Sequence, residues 1–328
     1  MWFASYRKLR DIGVLGINER NFAYIARYNE RHYYPLVDNK LLTKEAATKA
    51  AIAVPELFGV IKTPSQLHRL PALINPLNEF VIKPARGSGG KGITVIVGRD
   101  GDHFLKPSGT AITLRQMRQH VSNILSGVYS LGGKPDVAFV EALVQGEPLL
   151  SKYTFEGLPD IRVIVFRGFP VMAMMRCPTH SSDGKANLHQ GAVGVGLNIC
   201  SGRALRAVQR SHPIDRHPDT NVSFADLLIP GWRALLELAA SCYEMTKLGY
   251  LGCDIVLDRH RGPLILELNA RPGLAIQIAN GIGLRRRLAA IESREIKERS
   301  ITDRVAGVYQ LFNGDAGSCP TSVVTAMG

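Results

Sequence analysis

Cysteine is sparse. Five residues, Cys177, Cys200, Cys242, Cys253 and Cys319, are scattered through 328. They form no CxxC pair and stand at no zinc-like spacing from histidine. This excludes a disulfide framework and a cysteine-based metal module, and reads as the reduced thiols of a cytoplasmic protein. Long apolar runs are also missing. The most apolar stretch, residues 161–175, is interrupted by Arg167 and Pro170, so nothing approaches the ~20 residues of a membrane span. The opening MWFASYRKLRDIGVLG lacks the apolar centre of a signal peptide. No membrane partner is expected. Aromatics are only 7%. Acids are in deficit, with 28 Asp and Glu against 40 Lys and Arg, a net charge of +12. The basic residues are dispersed, the densest group being Arg285, Arg286 and Arg287. That is not the clustered, aromatic-interleaved surface of a nucleic-acid binder, and no nucleic-acid partner is expected. The excess suits a site for anionic small molecules.

The elements present are mixed. Residues 1–38 show loose helical spacing, and 39–53 (NKLLTKEAATKAAIA) are rich in strong helix formers. A second helix is expected over 65–70, with Pro71 and Pro76 in the loop beyond. The pattern then turns to strand at 79–84, glycine loop at 86–92, and strand at 93–97. A small hairpin around 106–109, a helix over 114–126 and a strand at 138–144 follow. Strands at 161–166 and 170–175 flank the Arg167–Gly168 turn. Residues 177–200 read as glycine-rich and irregular, 225–248 as a long amphipathic helix, 252–258 and 263–269 as a hairpin, and 282–304 as helix. A weakly ordered tail is expected from 313 to 328.

Gly87, Gly89 and Gly92 fit G-x-G-x-x-G. A dinucleotide-binding fold needs a helix after that loop, whereas ITVIV, five β-branched residues, follows here. A Walker A loop needs Ser or Thr after its lysine, and Lys91 is followed by Gly92. The D-F-G and catalytic-loop motifs of a protein kinase are missing. There remains a hairpin, Gly87, Ser88, Gly89, Gly90, Lys91 and Gly92, whose backbone N–H groups can approach phosphate oxygens. Lys83 lies on the strand entering it.

A second constellation is Asp254, Glu267 and Asn269. Pairing the last two strands with Asp258 opposite Pro263 places Asp254 opposite Glu267, with Asn269 two residues on and therefore on the same side. Two acids side by side in an apolar setting need a cation between them. Hard oxygen donors suit Mg²⁺, or alternatively Mn²⁺. Asp258 reads as a turn residue.

In order, a lysine-bearing helix, IKP–GSGGKG, VEAL and a late D…ELNARPG resemble the ATP-grasp superfamily of carboxylate–amine ligases, with the nearest likeness to RimK-type, alpha-L-glutamate ligase-like enzymes. The resemblance covers roughly residues 39–290. It implies an α+β, ATP-grasp fold: two α+β lobes with antiparallel sheets enclosing one nucleotide. The expected divisions are a reduced helical segment at 1–38, an N-terminal lobe with its flap at 39–140, a C-terminal lobe with the metal site at 141–312, and the tail.

Carried over, the resemblance implies ATP and a divalent cation as cofactors. Lys40, with Lys44 as its rival, and Lys83 would reach phosphate. Glu141, Ala142, Leu143 and Val144 would hold adenine by their backbone. Asp160 would lie near the ribose, and Lys185 and Asn187 near the triphosphate. Asp254, Glu267 and Asn269 would bind metal, while Arg176 and Arg271 would face the reacting groups. The implied activity is amide or peptide bond formation through an acyl phosphate, on a glutamate-like amino acid or a peptide. Its partners would be carboxylate and amine substrates. The alternatives are thioester or ester formation, and an inactive nucleotide-binding partner protein. The acceptor pocket is expected from the 177–200 loop or from a second subunit, so a homo-oligomer is among the expected partners. Lys185 stands where arginine is usual in RimK-type enzymes, which keeps charge but changes geometry.

Overall fold

The computed structural model describes residues 6–87, 89–294 and 300–313. Among these the chain divides into two compact units, one over residues 35–145 and one made of residues 6–34 with those beyond 145. Of the N-terminal stretch expected to stand alone over 1–38, residues 6–34 group with the later residues. The boundary expected after residue 140 falls after Gln145.

In the 35–145 unit the helix Lys40–Lys49 is capped by Asn39, whose Oδ1 accepts from the N–H groups of Leu41 and Leu42 at 3.0 and 3.2 Å. Seven strands follow: β1 (Leu57–Ile61), β2 (Phe80–Pro84), β3 (Thr94–Ile96), β4 (Gly98–Asp100), β5 (His103–Leu105), β6 (Ala111–Ile112) and β7 (Ala138–Glu141). One antiparallel sheet runs β1-β7-β2-β3, and a smaller one runs β4-β5-β6. The expected glycine-loop hairpin is β2–β3. The helix Leu114–Leu125 opens on a capping box between Thr113 and Gln116. Its Met117, Val121, Ile124 and Leu125 recur at helical spacing and bury against Phe80, Ile82, Phe104 and Val140. Pro71 was expected in a loop. It instead sits in the first turn of the helix Leu70–Ile74, after a 3-10 turn over Pro64–Arg69. In a first turn, proline's missing N–H costs nothing.

The larger unit is built on seven antiparallel strands: β8 (Asp160–Phe166), β9 (Phe169–Cys177), β10 (Val193–Leu197), β11 (Ala204–Gln209), β12 (His212–Ile214), β13 (Tyr250–Asp258) and β14 (Gly262–Asn269). Their order is β12-β11-β10-β9-β8-β13-β14. The reading of 177–200 as irregular is corrected by β10, an interior strand. Its sequence VGVGL lacks the usual strand composition, because the backbone carbonyl of Ala279 lies where a side chain at residue 196 would be. The long helix begins at Trp232, not near 225, because Gly231 precedes it in a left-handed conformation (φ 62°). It covers one face of the sheet, where the Cys253 Sγ–H donates to the Ala239 carbonyl. Gly196, Met174, Arg162 and Asp254 are successive cross-strand partners. They therefore share the opposite face, over which the helix Ile276–Asn280 packs. The helix expected over 282–304 is two, Arg285–Glu292 and Ile301–Phe312. Residues 295–299, and the expected tail beyond Asn313, lie outside the described residues.

Candidate active site

The β13–β14 hairpin starts one residue out of the expected register, since Asp258 lies opposite Gly262 and Leu257 opposite Pro263. A bulge at Leu266 then restores it, so Asp254 does face Glu267, and Gly252 faces Asn269. Asp258 is the expected turn residue. Its Oδ1 accepts from the N–H groups of His260 and Arg261, each at 3.0 Å.

On the same face stand Asp160 and Arg162 of β8 and Arg176 of β9, brought there by the pairs Asp160↔Arg176 and Asp254↔Arg162. Arg162 grips Asp254 at both oxygens, Nε to Oδ1 at 2.7 Å and Nη2 to Oδ2 at 2.6 Å. Arg176 donates to both oxygens of Asp160 and reaches Asp254 Oδ2 at 2.8 Å. Two guanidinium groups thus lie against the Asp254 carboxylate. Burial opposes ionisation of Asp254, but Arg176 and Arg162 override it and bring its pKa down to about 2. At Asp160 burial wins over Arg176, and with the repulsion of Asp254 it pushes the carboxyl up. Arg176 is pushed up despite its burial, by the two carboxylates. Asp160 was expected near a ribose, yet its carboxylate is committed to Arg176.

Arg162 was not anticipated. Its signal was an arginine two residues from Asp160 in an otherwise apolar strand, hence on the same side. Arg271 is exposed. Its N–H donates to Asn269 Oδ1 at 2.8 Å, and its guanidinium lies 5.0 Å from the Tyr34 ring centre. Lys185 pairs with Asp183 at 2.8 Å, and Asn187 accepts from the His189 N–H at 3.0 Å. These contacts place both in the loop before β10 and link neither to the Asp254 group.

A carboxylate oxygen has two lone pairs. Asp254 Oδ1 accepts one hydrogen bond from Arg162, and Asn269 Oδ1 one from Arg271. With Glu267 opposite Asp254, the donors are hard oxygens, the kind that fits a hard divalent cation. Two carboxylates and an amide are the whole set, and no cluster of three or more His, Cys, Asp or Glu side chains suited to metal occurs among the described residues.

The 35–145 unit carries a second charged group. Val81 pairs with Glu141, so Lys83, two residues along β2, shares its face. Lys83 pairs with Glu141 Oε1, and Lys44 with Oε2 at 2.7 Å. Burial would raise the Glu141 pKa, but Lys83 and Lys44 outweigh it and the carboxyl is lowered. Glu141 was expected to act through its backbone, whereas its buried side chain organises two ammonium groups. Lys44 rather than Lys40 joins Lys83. Lys40 Nζ instead donates to the Gly87 carbonyl at 2.7 Å, at the base of the flap.

That base is also held by Asp136, which accepts from the Arg86 N–H and the Ser130 hydroxyl, both at 2.9 Å. Gly89, Gly90 and Gly92 have φ of 62°, 77° and 75°, which side chains resist. Lys91 is exposed between them, and Ser88 lies outside the described residues. Beyond β7 the Ala142 N–H donates to the Glu56 carbonyl at 2.9 Å. The peptide groups of Leu143 and Val144 make no backbone hydrogen bond among the described residues.

The family described as sugar-transfer associated ATP-grasp matches residues 19–293. The chain belongs to that family. The fold is α+β of the ATP-grasp kind, as the motif order implied. No curated protein matches. Among solved structures, similar ones include the ATP-grasp ligase PsnB with its minimal precursor, at 13% identity and TM-score 0.44 over 86% of this chain and 63% of that one. A RimK domain ATP-grasp protein from Sphaerobacter thermophilus matches at 13% identity and TM-score 0.45, over 80% and 70% of the two chains. D-alanyl-alanine synthetase A from Vibrio cholerae matches at 11% identity and TM-score 0.45, over 86% and 66%. The chain thus spans a little under two thirds of PsnB.

Proposed function

We propose that this protein is an ATP-dependent carboxylate–amine ligase that forms an amide through an acyl phosphate, on an amino acid, a peptide or a related acid. The carrying observation is the polar face of the large sheet, where Asp254 faces Glu267 and is held by Arg162 and Arg176. Amide formation from a free carboxylate lacks a good leaving group. Attack of the carboxylate oxygen on the γ-phosphorus, with ADP leaving, supplies one. The amine then attacks the acyl carbon and phosphate departs.

Phosphoryl transfer needs position and charge neutralisation more than covalent help. Lys83 and Lys44, kept in place by Glu141, take phosphate oxygens. The glycine loop offers its N–H groups to phosphate oxygens as well. The peptide groups of Leu143 and Val144 suit an adenine edge. Glu267, Asn269 and the open lone pair of Asp254 would hold Mg²⁺, which would supply neutralisation of phosphate charge. Arg176 and Arg271 stabilise the developing oxyanion. Arg162 fixes the direction of Asp254.

The family description links these proteins to sugar transfer, so amino sugars and uronic acids belong among the substrates tested beside amino acids and peptides. The test is ADP release with Mg²⁺-ATP and paired pools of acids and amines. Release only when both an acid and an amine are present is expected. No release from any pair would overturn the reading. Release with an acid and a thiol or alcohol, but never an amine, would replace amide formation by thioester or ester formation.

A further inference from the structure

A recess of about 650 Å³ in the larger unit takes no part in the assignments above. Its size falls in the range of about 300–1,000 Å³ typical of small-molecule sites. The walls are mostly aliphatic, with Leu9, Val14, Leu188, Val208, Leu274 and Ile278 among them, and no Phe, Tyr or Trp lines it among the described residues. Its one buried polar side chain, Gln277, is occupied. Gln277 Oε1 accepts from the N–H groups of Leu15 and Leu284, and its Nε2 donates to the Leu15 carbonyl at 3.1 Å. The polar lining that remains is His189, Arg210 and Ser211, and its charge is cationic.

Two further features point to a ligand. First, one wall segment continues directly from a candidate site residue: Leu274 comes three residues after Arg271, at most about 11 Å away along the chain. Second, Arg210 and Ser211 form the two-residue turn of the β11–β12 hairpin, between the paired residues Gln209 and His212. Both have positive φ, 50° and 68°. Such turns favour Asn-Gly. An arginine held there in a disfavoured conformation at the mouth of a recess is the kind of local strain that accompanies binding.

We propose that this recess binds the carboxylate substrate, an acid with an aliphatic body whose carboxylate faces Arg210. The assignment of the bound acid as substrate rests on the ligase reading; its binding does not. Glutamate, polar at both ends, is a poor occupant of such walls.

The test is calorimetric titration of the full chain with hexanoate, octanoate and decanoate, beside octylamine and glutarate, and with ATP titrated separately. Saturable binding is expected for the monocarboxylates, tightening about three- to fourfold per methylene. Octylamine and glutarate should bind at least about tenfold more weakly than octanoate. Arg210→Glu should weaken octanoate by about tenfold or more and leave ATP affinity unchanged. Ala275→Phe, filling the recess, should abolish octanoate binding. The turn variant Arg210→Asn with Ser211→Gly should melt higher than the parent yet bind octanoate more weakly, an outcome that a purely structural turn would not give. Equal binding of octylamine, a flat chain-length series, or indifference to all three variants would overturn the proposal. Octanoate binding without ADP release from any substrate pair would sink the ligase reading and leave the site standing. ADP release with an acid and an amine, but no octanoate binding, would do the reverse.

Discussion

Arg162 holds Asp254 through two parallel hydrogen bonds of 2.7 and 2.6 Å, side by side on neighbouring strands of the large sheet. Arg176 adds a third contact to the same carboxylate, so the acid is fixed from two sides. A carboxylate set this way keeps one lone pair in a defined direction, which is what a cation or phosphate site requires. Replacing Arg162 with Met strands part of a buried charge and should cost about 3–5 kcal/mol, read from urea unfolding. Arg162→Lys keeps the charge but loses the fork. It should unfold more easily by a smaller amount and lower turnover at least about tenfold, with ATP affinity little changed. Wild-type turnover in Arg162→Lys would remove the positioning role.

Lys83 and Lys44 share one buried glutamate. If they take phosphate, Lys83→Ala and Lys44→Ala should each weaken ATP binding by about tenfold or more. Lys40→Ala, whose ammonium sits on the Gly87 carbonyl, should have a smaller effect. Unchanged ATP affinity in Lys83→Ala would count heavily against the nucleotide assignment. Glu141→Gln leaves two ammonium groups with a neutral partner, so a stability loss of about 3–5 kcal/mol should accompany its loss of binding.

Glu267 lies directly opposite Asp254, and its replacement by Gln preserves shape while removing charge. Glu267→Gln should abolish divalent-dependent ADP release. Direct Mn²⁺ binding, followed by water proton relaxation in the presence of ATP, should fall at least about tenfold with the melting temperature nearly unchanged. Full activity would take Glu267 out of the site.

The pairing of Asp254 with Glu267 was legible because strand alternation is rigid, even though the assumed turn register was off by one. The bulge at Leu266 compensated, and nothing local in LILEL announces it. Arg162 was equally visible, since a charged residue two positions from Asp160 in an apolar strand shares its face. It was passed over because its partner lies on a strand 92 residues away. The convergence of Lys44, Lys83 and Glu141 depends on strand order, with β7 inserted between β1 and β2. Sequence spacing does not carry that information. β10 was missed for a tertiary reason. Its glycines contradict strand propensity and are tolerated because the Ala279 backbone packs directly against Gly196.

His217 supplies a pH prediction from the same unit. It is 1% exposed, and its Nε2 donates to the Pro178 carbonyl at 2.9 Å. Its Nδ1 accepts from the N–H groups of Asp219 and Thr220, each at 3.3 Å. Protonating Nδ1 would set a new N–H against two donors. Burial lowers its pKa, outweighing the Pro178 hydrogen bond and the nearby Asp219 charge. The sign follows from proton counts. Below the ordinary histidine value of about 6.5 the unfolded chain binds a proton that the folded one refuses, so stability is full above that pH and declines as pH falls toward the folded value. His120, also lowered by burial, contributes in the same direction, so the difference between wild type and variant isolates the His217 share. Unfolding free energy measured from pH 8 to 5 should fall more steeply for wild type than for His217→Gln. The gap between the two curves should narrow as pH drops. Parallel curves would show that His217 titrates alike in both states.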